Sequence, residues 1–247
     1  MKQPLFLLFV VLLMACSCSD EILNEDNHQA ILGTSNVTFS FDSITEPSNW
    51  RKYQSLEEML AACQIPEDKL KSMSTDELIE VCMSHPLHMI FVAYNNQLDG
   101  AKVIIDSFNG FQELKLRDDA ASRLLSFYED VNFNCEAKSI RRRDFSSSTL
   151  LGFIELFLAS KELPQLYERN NIQELKRISD KVLEQKLLKN QGSFMSIRHS
   201  LLLNSQIKLE DKTLSDEDRD LLNRFVKVGG MCDDANDYTK VSKITVK

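Results

Sequence analysis

The sequence predicts a mainly α-helical protein, either an antiparallel helical bundle or a curved helical stack, and three observations favour this fold class. Apolar residues recur every three or four positions through most of the chain after residue 55. Serine-led capping boxes and prolines mark where several helices begin. The connections between the apolar stripes are short, which favours antiparallel packing of neighbouring helices.

Residues 1–15 are predicted to be an export signal that is absent from the mature protein. The apolar run from Leu5 to Ala15 has the length of a signal-peptide core, whereas about 20 residues are needed to span a bilayer. The ending Leu13-Met14-Ala15-Cys16 resembles the lipobox of bacterial lipoproteins, whose cysteine receives a diacylglycerol and often a further acyl chain such as palmitate. The resemblance implies lipidation at Cys16, and an ordinary signal peptide with a chance cysteine is the alternative.

The residues after Cys16 bear on the destination of the protein. Ser17 stands where an aspartate would resemble an inner-membrane retention signal, so we expect delivery to the outer membrane. Ser19-Asp20-Glu21 resembles the acidic tract that exports some Gram-negative lipoproteins to the cell surface. Residues 16–35 are polar, acidic and without periodicity, which predicts a flexible tether.

The acidic composition argues against nucleic acid as a partner. The formal net charge is −8, and the one basic cluster, Arg141-Arg142-Arg143, is more typical of a solvated loop than of a phosphate site. After the tether, the sequence indicates an N-terminal helical half (36–140) and a C-terminal helical half (141–247). We expect one continuous domain with a hinge within 137–148.

Two short stretches near the ends of the domain have patterns compatible with one or two short strands. Their apolar residues are Val37, Phe39 and Phe41, which alternate with polar residues, and Val241, Ile244 and Val246. Between them, four short helices are expected first, near 55–63, 66–72, 75–84 and 86–96. Ser55 and Ser74 each begin a capping box, and Pro66 and Pro86 lie at first-turn positions.

Longer amphipathic helices follow, each predicted by a stripe of apolar residues. The stripes begin at Leu98, Leu124, Leu150, Ile172 and Leu221. Asn109-Gly110 predicts the end of the first helix, and Gly229-Gly230 the end of the last. Asn171 predicts a further capping box.

Part of the chain resembles a group of uncharacterised α-helical lipoproteins of Gram-negative anaerobic bacteria. The matching segments lie within residues 53–128 and are Leu56-Glu57-Glu58-Met59-Leu60, Cys63-Gln64-Ile65-Pro66-Glu67, Met73-Ser74-Thr75-Asp76-Glu77-Leu78 and Phe108-Asn109-Gly110. The resemblance implies a signal peptide, a helical body and no assigned activity, and it supplies no catalytic residue. Members carry an aromatic residue where this chain has His85, which argues against a metal ligand common to the group.

Cys82, His85 and His88 form the one spacing that suggests chemistry. On a continuous helix a thiolate and two imidazoles three residues apart would share a face and could bind zinc. Pro86 interrupts that path and no fourth ligand is evident, so packing is favoured over metal binding and no cofactor is expected. The cysteines at 63, 82, 135 and 232 could form disulfides in three pairings or remain buried thiols.

The sequence contains no Gly-x-Ser-x-Gly nucleophile elbow, no zinc-protease motif and no phosphate-binding glycine loop. The favoured function is therefore a lipid-anchored binding or structural module of the cell envelope, with a protein, peptide or glycan as partner. The alternative is an envelope hydrolase whose site is assembled from distant residues. A binding module predicts an exposed apolar patch, whereas an enzyme predicts a deep pocket with convergent titratable groups.

Overall fold

The computed structural model describes residues 39–139, 145–188, 193–232 and 234–246, with the side chains of 132–139, 145–148 and 188 excepted. Every regular element in these ranges is a helix, which confirms the mainly α prediction. The α-helices are α1 (Asp42–Thr45), α2 (Pro47–Trp50), α3 (Leu56–Ala62), α4 (Glu67–Ser72), α5 (Thr75–Met83), α6 (Gln97–Ser107), α7 (Asn109–Leu114), α8 (Ala120–Ser139), α9 (Phe145–Ala159), α10 (Arg169–Leu188), α11 (Phe194–Lys208), α12 (Asp216–Lys227) and α13 (Ala235–Thr245). Two 3-10 helices, His88–Ala93 and Pro164–Tyr167, precede α6 and α10.

Helices α9 and α11 pack against each other at the centre of the fold. All residues from Thr149 to Ser160 are buried, and in α11 all residues from Ser196 to Ile207 are buried except Ile197. A helix buried on every side must be covered by neighbours. Those neighbours are α6 and the first 3-10 helix against α9, α12 and α13 against α11, and α10 against α11.

Aromatic side chains join the helices before residue 139 to those after residue 145. The Phe111 ring of α7 lies 6.0 Å from the Phe153 ring and 4.8 Å from the Phe157 ring of α9. Phe91 of the first 3-10 helix stacks on Phe153 at 6.4 Å. All four rings are fully buried, so both predicted halves contribute to one apolar core.

The predicted capping signals place two helix starts correctly. Ser74 Oγ accepts from the Glu77 N–H (3.3 Å) while the Glu77 carboxylate accepts from the Ser74 N–H (2.8 Å), a complete capping box. Ser55 Oγ accepts from the Glu58 N–H (3.1 Å), but the Glu58 carboxylate accepts from the preceding Gln54 N–H (2.7 Å). Both serines therefore satisfy one backbone donor of the helix they begin.

The predicted C-cap at Asn109-Gly110 is wrong, because these residues begin α7. Asn109 makes a two-way amide contact with the chain before α4: its Oδ1 accepts from the Ile65 N–H (3.0 Å) and its Nδ2 donates to the Ile65 carbonyl (2.8 Å). The Asn109 N–H donates to Gln64 Oε1 (3.0 Å). These distant contacts hold the bend at Phe108, and local sequence does not contain them.

Two other predicted helix starts are displaced. The helix expected at 86–96 is a 3-10 helix that begins at His88, after a turn through Pro86. Asn171 lies inside α10 rather than at its start, and its side chain donates to the Gln165 carbonyl at 2.8 Å. Tertiary contacts near Pro164–Tyr167 thus fix the start of α10.

The predicted strands are wrong wherever the structure describes them. The C-terminal stretch is α13, capped by Asp234, whose carboxylate accepts from the Asn236 N–H at 2.8 Å. Its Val241 and Thr245 are buried four residues apart, as on one helix face. Phe41 immediately precedes α1 and packs against His85 with 5.4 Å between ring centroids. Val37 lies outside the described residues.

Candidate functional site

The first half of α11 brings three consecutive polar side chains, Arg198, His199 and Ser200, into the protein interior. Successive residues of a helix point about 100° apart, so these three side chains face different neighbours. Ser200 contacts Glu155 of α9, whereas Arg198 contacts Gln97 at the start of α6. No apolar stripe in the sequence predicted a helix at 194–208, so neither arrangement was expected.

Ser200 belongs to a buried ionic cluster between α8, α9, α10 and α11. Lys186 Nζ lies 2.8 Å from both carboxylate oxygens of Glu155 and donates to Ser200 Oγ (2.7 Å) and the Ser196 carbonyl (3.1 Å). Ser200 Oγ donates to Glu155 Oε1 at 2.5 Å, and Tyr128 Oη donates to the same oxygen at 3.2 Å. The Glu155 side chain is completely buried and that of Lys186 is 8 % exposed.

The buried ionic cluster has the residue types of a hydrolase but not the access. A serine hydroxyl beside a lysine amine can act as a nucleophile in hydrolases. Here Ser200 is fully buried and its hydroxyl is engaged by Glu155 and Lys186. Burial, followed by the negative charge of Glu155, raises the pKa of Tyr128 and keeps its phenol a neutral donor. The arrangement satisfies a buried ion pair and joins four helices.

Gln97 organises the second arrangement at the start of α6. Its Oε1 accepts from Arg198 Nη2 and lies 2.7 Å from His199 Nε2. Its Nε2 donates to Met195 Sδ at 3.5 Å. The neighbouring Asn96 caps α6 by accepting from the Leu98 N–H at 3.1 Å. Gln97 is therefore fixed at the start of α6, where its side chain contacts both Arg198 and His199.

His199 is a neutral hydrogen-bond donor in this arrangement. Burial, reinforced by the positive charges of Lys186 and Arg198, lowers the pKa of His199 to about 3. Its Nδ1 has no hydrogen-bond partner among the described residues. A Cβ at Gly152 would stand 2.7 Å from that nitrogen, so Gly152 allows the close approach of α9 and α11. The neutral tautomer with the proton on Nε2 matches the contact to Gln97.

Arg198 is a recessed cation without an acidic partner among the described residues. Only 6 % of the residue is exposed, and its Nη1 contacts Met231 Sδ in the turn that follows α12. Its Nε has no hydrogen-bond partner in the described part of the chain. Burial lowers the pKa of Arg198, and Tyr238 of α13 opposes that effect. Lys186, by contrast, is neutralised by a carboxylate.

An apolar rim of four exposed side chains lies at the start of α11 and in the turn after α12, where Met231 contacts Arg198. They are Phe194 (67 % exposed), Met195 (38 %), Val228 (45 %) and Met231 (46 %). The Phe194 ring lies 5.3 Å from the ring of Tyr238, whose hydroxyl donates to the Gly230 carbonyl at 2.6 Å. Gly229 and Gly230 both have positive φ, of 64° and 78°, which lets the chain turn from α12 across Arg198.

The predicted Cys82, His85 and His88 set does not lie on one helix. α5 ends at Met83, after which His85 Nδ1 accepts from the Leu87 N–H at 3.2 Å. His88 Nδ1 lies 2.8 Å from the His85 carbonyl oxygen. Within the described ranges, no three His, Cys, Asp or Glu side chains are grouped to bind a metal ion.

The surroundings of these residues are those of a core. His85 is fully buried, its ring is 4.7 Å from that of Phe108, and burial followed by the charge of His88 lowers the pKa of His85 to about 3. Burial also raises the pKa of the Cys82 thiol and that of Cys63, the latter to about 12. Both of these thiols are free.

A groove between α12 and α13 is open to solvent. Its lining contains both acidic and basic side chains, including Asp220, Arg224, Asp237 and Lys240. The buried ion pair of Glu155 and Lys186 lies elsewhere in the fold. An enzyme is expected to have a deep pocket with convergent titratable groups, and this groove is not such a pocket.

These features define a helical protein with a sealed ionic cluster and an exposed apolar rim next to a buried arginine. Comparison with family models, curated proteins and solved structures found no match to the chain. Among the helices described, none combines the length and apolarity needed to cross a bilayer. Cys16, the tether and Arg141-Arg142-Arg143 lie outside the described residues.

Proposed function

We propose that this protein is a lipid-anchored binding module of the bacterial cell envelope, held at the outer membrane through Cys16. Its apolar rim contacts a partner at the envelope. The sequence leaves open whether this partner is a protein, a peptide or a glycan. The observation that carries the binding role is the rim itself, which exposes Phe194, Met195, Val228 and Met231 and includes the Met231 contact to the buried Arg198. Exposed apolar groups with a polar surround are typical of interaction sites.

Anchoring at Cys16 is supported by the lipobox, by the length of the apolar run before it and by the acidic tether after it. The resemblance to helical lipoproteins of Gram-negative anaerobes supports the same location. Two or more acyl chains anchor a protein stably because each buried methylene contributes about 0.8 kcal/mol. The proposed partner must therefore be accessible from a membrane surface.

The hydrolase alternative receives less support from the arrangement of side chains. The Ser200, Lys186 and Glu155 cluster offers a nucleophile and a base, but all three are buried and bonded to one another. A hydrolase would need this site to open to substrate. The exposed surface around Arg198 needs no such rearrangement to meet a partner.

The anchor is tested by replacing Cys16 with serine. We expect the wild-type protein to fractionate with the outer membrane and to incorporate labelled palmitate, and the Cys16→Ser variant to lose both properties. Intact-mass measurement of the mature protein should show an N-terminal diacylglyceryl cysteine. Cys18→Ser is the matched control, because it removes a neighbouring thiol and leaves the lipobox intact. Membrane retention and labelling of Cys16→Ser equal to wild type would reject the anchor.

The binding role is tested by photocrosslinking in intact cells with benzoylphenylalanine at position 194. We expect a discrete crosslinked species because Phe194 is exposed at the rim. The matched control places the same residue at Leu116, which is 75 % exposed and therefore more accessible to nonspecific reaction. A discrete species at position 194 and none at 116 supports a partner at the rim, whereas equal smears at both positions contradict it.

A further inference from the structure

We propose that the recess at Arg198 binds one carboxylate of a partner peptide, while the apolar rim contacts the apolar residues that flank it. This inference rests on the proposed binding function and names the chemistry of the partner. Its starting point is a contrast between two buried cations on adjoining elements. Lys186 has Glu155, whereas Arg198 has no acidic partner among the described residues.

The hydrogen bonds of Arg198 are incomplete on the side of Met231. A guanidinium carries five N–H donors, and its described contacts are Gln97 Oε1, Met231 Sδ and the nearby Tyr238 hydroxyl, none of them an anion at neutral pH. A thioether sulfur is a weak acceptor, and Arg198 Nε has no partner in the described ranges. A carboxylate accepts from two guanidinium nitrogens at once, so it matches the donors that the protein leaves over.

Charge favours the same ligand. The chain contains 37 aspartates and glutamates, yet none of those described forms an ion pair with Arg198. Removing a cation from water without an anionic partner is costly, and a ligand carboxylate would offset that cost. The lowered pKa of Arg198 has burial as its largest cause, which is consistent with a cation that lacks a neighbouring anion.

The Met231 side chain covers the Arg198 guanidinium and can move aside. It is 46 % exposed and follows two glycines with positive φ. A methionine side chain is unbranched and flexible, so it can change rotamer to uncover Nη1 without a backbone shift. In the bound state we expect Met231 to pack against the partner, together with Phe194 and Met195.

The form of the site favours a peptide over a bilayer or a free fatty acid. Membrane surfaces recruit clusters of roughly 4–8 basic residues, whereas this site offers one recessed cation on a chain of net charge −8. A fatty acid requires an enclosed apolar cavity, whereas the rim is made of exposed side chains. A peptide can place one acidic group in the recess and lay short apolar side chains on the rim.

The test is selection of a random peptide display library on the full mature protein in mild detergent. We expect enriched peptides to contain an aspartate, a glutamate or a free C-terminal carboxylate next to apolar residues. For a selected glutamate peptide, Glu→Gln in the peptide and Arg198→Met in the protein should each weaken binding by about tenfold or more. Arg198→Lys should weaken it less than Arg198→Met, because the charge remains and the two-pronged geometry is lost.

Matched controls separate this result from unfolding. Arg123→Met makes the same change at an exposed arginine that pairs with Asp76 and Asp119, and it should leave peptide affinity unchanged. Far-ultraviolet circular dichroism should show the same helicity for all variants. If Arg198→Met is unfolded, the comparison of glutamate and glutamine peptides on the wild-type and Arg198→Lys proteins decides the question.

The following outcomes would overturn the inference. They are failure to enrich any peptide, enrichment of peptides without a carboxylate, and equal affinity of the wild-type and Arg198→Met proteins. Arg198-dependent binding of phosphatidylglycerol vesicles or of dodecanoate in place of peptides would also overturn it. The proposed function is tested separately, because crosslinking at Phe194 reports a partner of any chemistry.

Discussion

Replacing Glu155 with alanine is expected to lower the free energy of unfolding by about 3–5 kcal/mol. The substitution leaves the buried Lys186 ammonium without its carboxylate, and it removes the acceptor of the Tyr128 and Ser200 hydroxyls. An unpaired buried charge costs more than the lost pair itself contributes. Urea unfolding at neutral pH, followed by circular dichroism, measures the change.

A double variant separates the cost of the orphaned charge from the contribution of the pair. Glu155→Leu with Lys186→Met replaces both ions by apolar side chains of similar size, and it should recover at least half of the loss seen for Glu155→Ala. The control is Asp180→Ala, which breaks the exposed pair of Asp180 with Lys176 and should cost under about 1 kcal/mol. Equal losses for Glu155→Ala and Asp180→Ala would contradict the proposed role of the cluster.

Local signals in the sequence predicted the amphipathic helices well. The serines at 55 and 74 begin helices because their hydroxyls satisfy backbone donors within four residues. The glycines at 229 and 230 end α12 because they adopt positive φ, which other residues avoid. In both cases the physical cause lies within a few residues, so sequence alone reveals it.

The central helix α11 escaped prediction because its polar residues are buried. Arg198, His199, Ser200 and Asn204 interrupt the apolar stripe that would mark a helix, yet all four face other elements rather than water. Gln97, the partner of Arg198 and His199, lies about a hundred residues away in the chain. The one local signal was Ser193, whose hydroxyl accepts from the Ser196 N–H.

The same reasoning explains the error at the C-terminus and the missed site. Val241, Ile244 and Val246 are β-branched, a preference for strands that packing against α11 and α12 overrides in α13. Arg198 is distinguished by being buried without an acidic partner among the described residues, and both its burial and its neighbours are tertiary properties. The proposed class of function rests on the local pattern at Cys16, whereas no local pattern in the sequence indicates the surface near Arg198.

Acid should destabilise the protein between pH 6.5 and pH 5 through two buried histidines. Folding lowers the pKa values of His85 and His199 from 6.5 to about 3, mainly because burial penalises the charged ring. Between those values the unfolded chain binds more protons than the folded one, so the free energy of unfolding falls as the pH falls. Each histidine contributes about 1.4 kcal/mol per pH unit below its unfolded pKa, and the stabilisation is fully present above that pKa.

A His85→Phe variant tests the origin of this acid sensitivity. The phenylalanine ring fits among Phe41 and Phe108, which already contact the imidazole at 5.4 and 4.7 Å. We expect the slope of unfolding free energy against pH, from urea titrations between pH 5 and 6.5, to fall to about half of the wild-type value. His28→Phe, in the predicted tether, should leave the slope unchanged. Carboxylates with lowered pKa values, such as Glu113, lose their stabilisation only at lower pH, so a wild-type slope in His85→Phe would show that His85 does not titrate as inferred.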